Sequence, residues 1–284
     1  MSKNTIKTYV LLAALGGLLI IGGQLLWGGS GAIIGLAIGL VFVGGSYWFS
    51  DKIAIRAARA KPVNEQEAPE LYAIVRELTA AAQMPMPRLY ITPDPQPNAF
   101  ATGRNERRAA VAVTKGILQI LDRDELRAVL AHELAHVRNR DILISSVAAA
   151  IAMGITFLAR MVMWGAMFGG GGDDDDGGGN IFGLLAMAIL APIAALLLQM
   201  AVSRSREFEA DRTAARLIGA GEPLARALEK LHETAKRVPM NVNPAAAPMY
   251  IVNPFTGRKV AFAGLFSTHP PAEERIARLR SWRP

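Results

Sequence analysis

Apolar residues in this chain follow two patterns, unbroken runs and helical or strand periodicity, and each pattern occupies its own stretches. Four runs, Tyr9–Trp27, Ala32–Phe49, Ile142–Phe168 and Ile181–Val202, are long enough to cross a bilayer, which takes about 20 residues of helix. Arg160 is the one charge inside them; near the far end of its run, a long side chain reaches the interface. Between the runs the pattern becomes amphipathic. Leu71, Ile74, Val75 and Leu78 fall at helical spacing and predict a helix over Glu65–Gln83. Arg88–Thr92 and Ala109–Thr114 have the short β-branched pattern of strands, with Asn98–Arg107 between them reading as a loop. Asp122 and Glu125 form a D-x-x-E capping box that opens a helix running through His136. Glu207–Ile218, Glu222–Arg237 and Pro271–Trp282 read as helices, and Pro239–Ser267 as irregular.

The predicted architecture is therefore a mainly α integral membrane protein with a small β-sheet in its polar part. Residues 1–50 form a first membrane hairpin, 51–141 a first polar piece, 142–202 a second hairpin and 203–284 a second polar piece. Charge gives the orientation. Lys3, Lys7, Lys52, Arg56, Arg59, Lys61, Arg138, Arg140, Arg204 and Arg206 flank the runs on one side, whereas Gly28–Gly31 and Gly169–Asn180 hold no Lys or Arg. The positive-inside rule then places both termini and both polar pieces in the cytoplasm. A cleaved leader over residues 3–27, with Ser30-Gly31-Ala32 as its processing site, would leave that charge bias without a reason. The glycine-flanked Asp173–Asp176 lacks the alternating ligands and closing Glu of a calcium loop and reads as a solvated turn.

Composition narrows the chemistry. Apolar residues make up 51% of the chain and charged residues 19%, below the quarter or so usual in soluble domains. The formal charge of +7 comes with no basic run interleaved with aromatics, so anionic lipid fits it better than nucleic acid. No cysteine is present, which excludes disulfides and thiolate metal sites.

The polar pieces hold an H-E-x-x-H motif, His132-Glu133-Leu134-Ala135-His136, inside the capped helix. Residues four apart share a helix face, so the two imidazoles point to one metal, and Glu133 stands beside the first as a base for water. A catalytic zinc takes three protein ligands. The third is not supplied by Val137–Arg140, which breaks the longer metzincin pattern. Glu207-Phe208-Glu209-Ala210-Asp211 offers it: Glu207 and Asp211 share a face, a metal ligand and a carboxylate to orient an imidazole, while Glu209 points elsewhere and stays as the fallback. His136 lies six residues before the third run and Glu207 five after the fourth, about 9 Å and 7.5 Å along a helix, so the hairpin delivers both to similar depth.

These pieces in this order resemble the HtpX family of bacterial membrane zinc peptidases, related to the CAAX prenyl endopeptidases: Pro97-Asn98-Ala99-Phe100-Ala101, His132–His136, Glu207–Asp211 and Thr268-His269-Pro270-Pro271, with a hairpin before and between. The resemblance implies a gluzincin-type site with His132, His136 and Glu207 on one Zn2+ and Glu133 as catalytic base. It also implies quality control of misfolded or damaged membrane proteins at the cytoplasmic face of the inner membrane. It further marks His269 as an oxyanion donor, Arg275 as a weaker candidate in the same neighbourhood, and Asn98 as a substrate contact beside an edge strand. His232 matches no motif and reads as a helix-surface residue. A peptidase for one class of lipidated tail, and a zinc transporter or metal-braced scaffold, are the competing readings. A transporter needs ligands at mid-membrane, and the four runs are nearly free of them.

Overall fold

The computed structural model describes residues 51–139, 141, 204–237, 250–251 and 270–284, with isolated positions between 13 and 49. The bulk of the four apolar runs, the Asp173–Asp176 loop and His269 lie outside the described residues. Among the described residues, no helix is long and apolar enough to cross a membrane.

The two polar pieces build one small mixed sheet and a set of helices. Strands β1 (Lys61–Pro62), β2 (Arg88–Thr92), β3 (Ala99–Thr102) and β4 (Ala110–Thr114) lie in the order β1-β2-β4-β3. β2 and β4 run parallel, with Arg88 opposite Ala110 and Thr92 opposite Thr114. β3 returns antiparallel along the other side of β4, Ala99 facing Val113. β4 is buried at every position, as its continuous Ala-Val-Ala-Val run requires of a strand covered on both faces. β3 corrects the loop expected over Asn98–Arg107. Four residues of Ala, Phe and Thr between turn signals are too short to register as a strand, and pairing with β4 decides the matter. Gly103, at φ +126°, ends that strand in a backbone conformation open to glycine.

Besides helical residues 51–57, six helices pack with the sheet: α1 (Pro69–Ala82), α2 (Lys115–Ile120), α3 (Arg123–Asn139), α4 (Arg204–Ile218), α5 (Glu222–Arg237) and α6 (Ala272–Arg280). α1 starts later than its periodicity suggests, because Asn64 and Glu67 exchange side-chain hydrogen bonds in a turn before Pro69. α3 opens on the expected capping box, with the Glu125 amide donating to Asp122 at 2.9 Å and the Asp122 amide to Glu125 at 3.0 Å. Eleven of its seventeen residues are buried, so it is the central helix of the described fold rather than a half-exposed one. Ala210, Ala214 and Ala215 on α4 are wholly buried and let that helix pack closely on α3. Leu224, Leu228 and Leu231 seal α5 against the same core, each contributing about 1.5–3 kcal/mol by leaving water. His232 is half-buried rather than on the open surface, its Nε2 3.2 Å from Glu273 of α6.

Candidate active site

α3 and α4 lie side by side, and their facing surfaces carry the acids and imidazoles. His132 and His136, one turn apart, bring their Nε2 atoms to 3.1 Å with rings nearly perpendicular. Glu207, buried on the first turn of α4, places Oε2 3.7 Å from His132 Nε2 and Oε1 3.4 Å from His136 Nε2. Glu209 faces solvent and pairs with Arg212 instead. One ligand atom from each of His132, His136 and Glu207 lies within 4.8 Å of the others. A tetrahedral ion with bonds of about 2.0–2.1 Å spaces its ligand atoms about 3.3 Å apart, and this set is already near that spacing. Two imidazoles and a carboxylate are also a donor set that zinc favours. The residues fit the metal.

Behind the three, buried charges hold the rings. Asp211 Oδ1 lies 2.9 Å from His132 Nδ1. Arg275, 1% exposed, grips Asp211 through Nε at 2.9 Å and Nη2 at 2.7 Å, and gives Nη1 to the Ile251 carbonyl. His136 Nδ1 faces Asp141 Oδ2 at 3.3 Å. Glu133 meets the sheet, where its Oε2 accepts the Ala101 amide hydrogen of β3 at 2.9 Å.

These contacts set the proton affinities. Burial pushes the Glu133 carboxyl above its ordinary value, offset in part by His132 and His136. Burial works against a charged His136, but Glu207, Asp141 and Glu133 outweigh it and raise its pKa to about 9. Asp211 resists the upward pull of burial because Arg275 and His132 hold it charged, below the usual carboxylate value. A surplus of carboxylates around two rings is the field in which a divalent cation is favourable.

Asn98 and Arg275, expected as substrate contacts, are both buried in internal hydrogen bonds. The Asn98 side chain accepts the Ile251 amide hydrogen at 3.2 Å while Arg275 takes the Ile251 carbonyl, so the two secure the Tyr250–Ile251 segment beside the site. Asp141, Arg206 and the Ala101 amide escaped sequence reasoning. Asp141 stands five residues past His136, off the helical spacing used to pair ligands, and a backbone amide leaves no mark in a sequence.

The model of Peptidase family M48 matches residues 65–283. A "Protease HtpX homolog" from Pelotomaculum thermopropionicum is 53% identical over 279 residues, covering 98% of this chain and 99% of the relative. Another from Syntrophobacter fumaroxidans is 55% identical over 278 residues, covering 97% and 98%. The crystal structure of S. mikatae Ste24p shares the fold at a TM-score of 0.53 and 18% identity, over 97% of this chain and 65% of that longer one. With the H-E-x-x-H helix, the E-x-x-x-D helix and matches across nearly its whole length, the chain belongs to the HtpX proteases of metallopeptidase family M48.

Proposed function

We propose that the chain is a zinc-dependent endopeptidase of the bacterial inner membrane, cutting misfolded or damaged membrane proteins at the cytoplasmic face. The four apolar runs with their one-sided basic flanks support the membrane placement. The observation that carries the peptidase reading is the hydrogen bond from Ala101 to Glu133, which ties the catalytic carboxylate to strand β3.

β3 lies at one edge of the described sheet. Asn98 turns its carbonyl to Thr114 of β4, while Ala101 turns its amide to Glu133. Alternation along an antiparallel strand then aims the main-chain groups of Ala99 and Ala101 away from β4, on the side where no other described strand pairs. An extended peptide adds to such an edge by main-chain hydrogen bonds, which tolerate many side chains and suit unfolded substrates. His132, His136 and Glu207 would hold zinc, which when bound would supply Lewis acidity at the scissile bond. Glu133 accepts the proton of the attacking water and returns it to the departing amine, a shuttle that its burial-raised carboxyl serves better than an ordinary one. Asp211 and Arg275 hold His132 in the tautomer that presents Nε2. His269, six residues before Arg275 in the sequence, is the oxyanion donor in this reading, as the family resemblance implies.

Digestion of an unfolded model protein by the detergent-purified full chain tests the reading. Chelator should abolish cleavage and zinc restore it. Glu133→Gln should retain zinc yet lose about 10²–10⁴-fold in rate. Cleavage that survives chelation, or Glu133→Gln at wild-type rate, would overturn it; cleavage confined to one lipidated tail would replace the quality-control role.

A further inference from the structure

We propose that Asp141, backed by Arg206, is the positioning residue for His136, matching what Asp211 and Arg275 do for His132. An imidazole binds metal through one nitrogen only if its proton sits on the other, and a partner for that proton fixes both tautomer and ring angle. His132 has such a partner in Asp211, 2.9 Å from its Nδ1. His136 has Asp141, 4% exposed, 3.3 Å from its Nδ1.

The likeness extends one residue further back. Asp211 is gripped by Arg275 at 2.7 Å. The other oxygen of Asp141 faces Arg206 Nη1 at 3.9 Å. Arg206 immediately precedes Glu207 on α4, and its side chain is 10% exposed. All three of its guanidinium nitrogens are buried without a hydrogen-bond partner. A cation held in that state needs opposing charge nearby, and Asp141 and Glu207 provide it. Each ring therefore has a carboxylate behind it and an arginine behind the carboxylate. The Asp141 arm is the looser of the two by both distances, so His136 is the ring whose placement is most sensitive to change. Asp141 also spans the two ligand helices, following α3 and facing the start of α4.

The proposal rests on the zinc reading above, and the test keeps their failures apart. Zinc affinity of the detergent-purified full chain is measured by chelator competition in wild type, D141A, D141N and, as controls, H132A and E207A. D141A should bind zinc about 10–100-fold more weakly. D141N keeps an oxygen that accepts the Nδ1 hydrogen and should fall between D141A and wild type. The Co2+-loaded protein should show shifted visible absorption bands in D141A and bands nearer wild type in D141N. If D141A does not fold, D141N carries the test through its affinity and its bands. Wild-type affinity and unshifted bands in the Asp141 variants, with a lowered melting temperature alone, would assign Asp141 to packing and overturn the proposal. Undiminished zinc in H132A and E207A would instead overturn the metal reading itself.

Discussion

Arg275 is the residue whose surroundings argue most sharply for a single outcome. It is 1% exposed, and it compensates Asp211 by two hydrogen bonds while lying 3.6 Å from Glu207. Removing one partner from such a buried group leaves the other charge without compensation, at about 3–5 kcal/mol. Arg275→Met should therefore lower the melting temperature of the purified chain sharply. Arg275→Lys should recover little, since a single ammonium cannot supply two parallel donors. A melting temperature unchanged in both would mean that Asp211 is held by something else. The residue scale also shows what a sequence can disclose. His132, His136, Glu207 and Asp211 are legible because helical spacing alone puts each pair on one face. Arg275 meets Asp211 across 64 positions of chain and His132 across 143, and no periodicity encodes such a meeting. Glu207 and Glu209 stand two positions apart and so leave the helix on different sides, Glu209 pairing with Arg212.

Among the elements, β3 does the most with the fewest residues. Its four residues supply an edge with no further described strand, the amide hydrogen that Glu133 accepts and, through Asn98 just before it, an anchor for Ile251. Short strands of small residues are the elements that pattern reading misses, because pairing rather than propensity creates them. The long, capped helices were legible; Asp122 and Glu125 announce α3, and the structure closes that capping box as expected. If the edge is where substrate pairs, Ala101→Pro should impair it selectively. Proline removes the amide hydrogen that Glu133 accepts, and on an edge strand it leaves the ladder to β4 largely intact. Rate on an unfolded substrate should fall by about 10²-fold or more if the base loses its placement, while bound zinc stays at wild-type level. Normal cleavage by Ala101→Pro would remove β3 from the catalytic argument, and loss of zinc together with rate would mean that the strand serves only to hold α3.

At the scale of the whole molecule, the site is a junction of segments far apart in the chain. α3 brings His132 and His136, α4 brings Glu207 and Asp211, and α6 brings Arg275, with 64 residues of sequence between the first two helices. The folded protein therefore gathers Glu133, Glu207, Asp211 and Asp141 around two rings and two arginines; burial raises the proton affinity of Glu133, and the attraction of Glu207, Asp141 and Glu133 outweighs burial to raise that of His136. A divalent cation bound only when the segments are assembled must stabilise the assembly, by about 2.7 kcal/mol at a free concentration one hundred times its dissociation constant. The melting temperature of the wild-type chain should accordingly drop on chelation and recover with zinc. In Glu207→Ala the third donor is gone, so the zinc-dependent part of the shift should shrink toward zero, whatever the melting temperature of the metal-free variant. An equal zinc response in wild type and Glu207→Ala would place the stabilising ion away from α4, and with it the idea that metal binding draws the two polar pieces together.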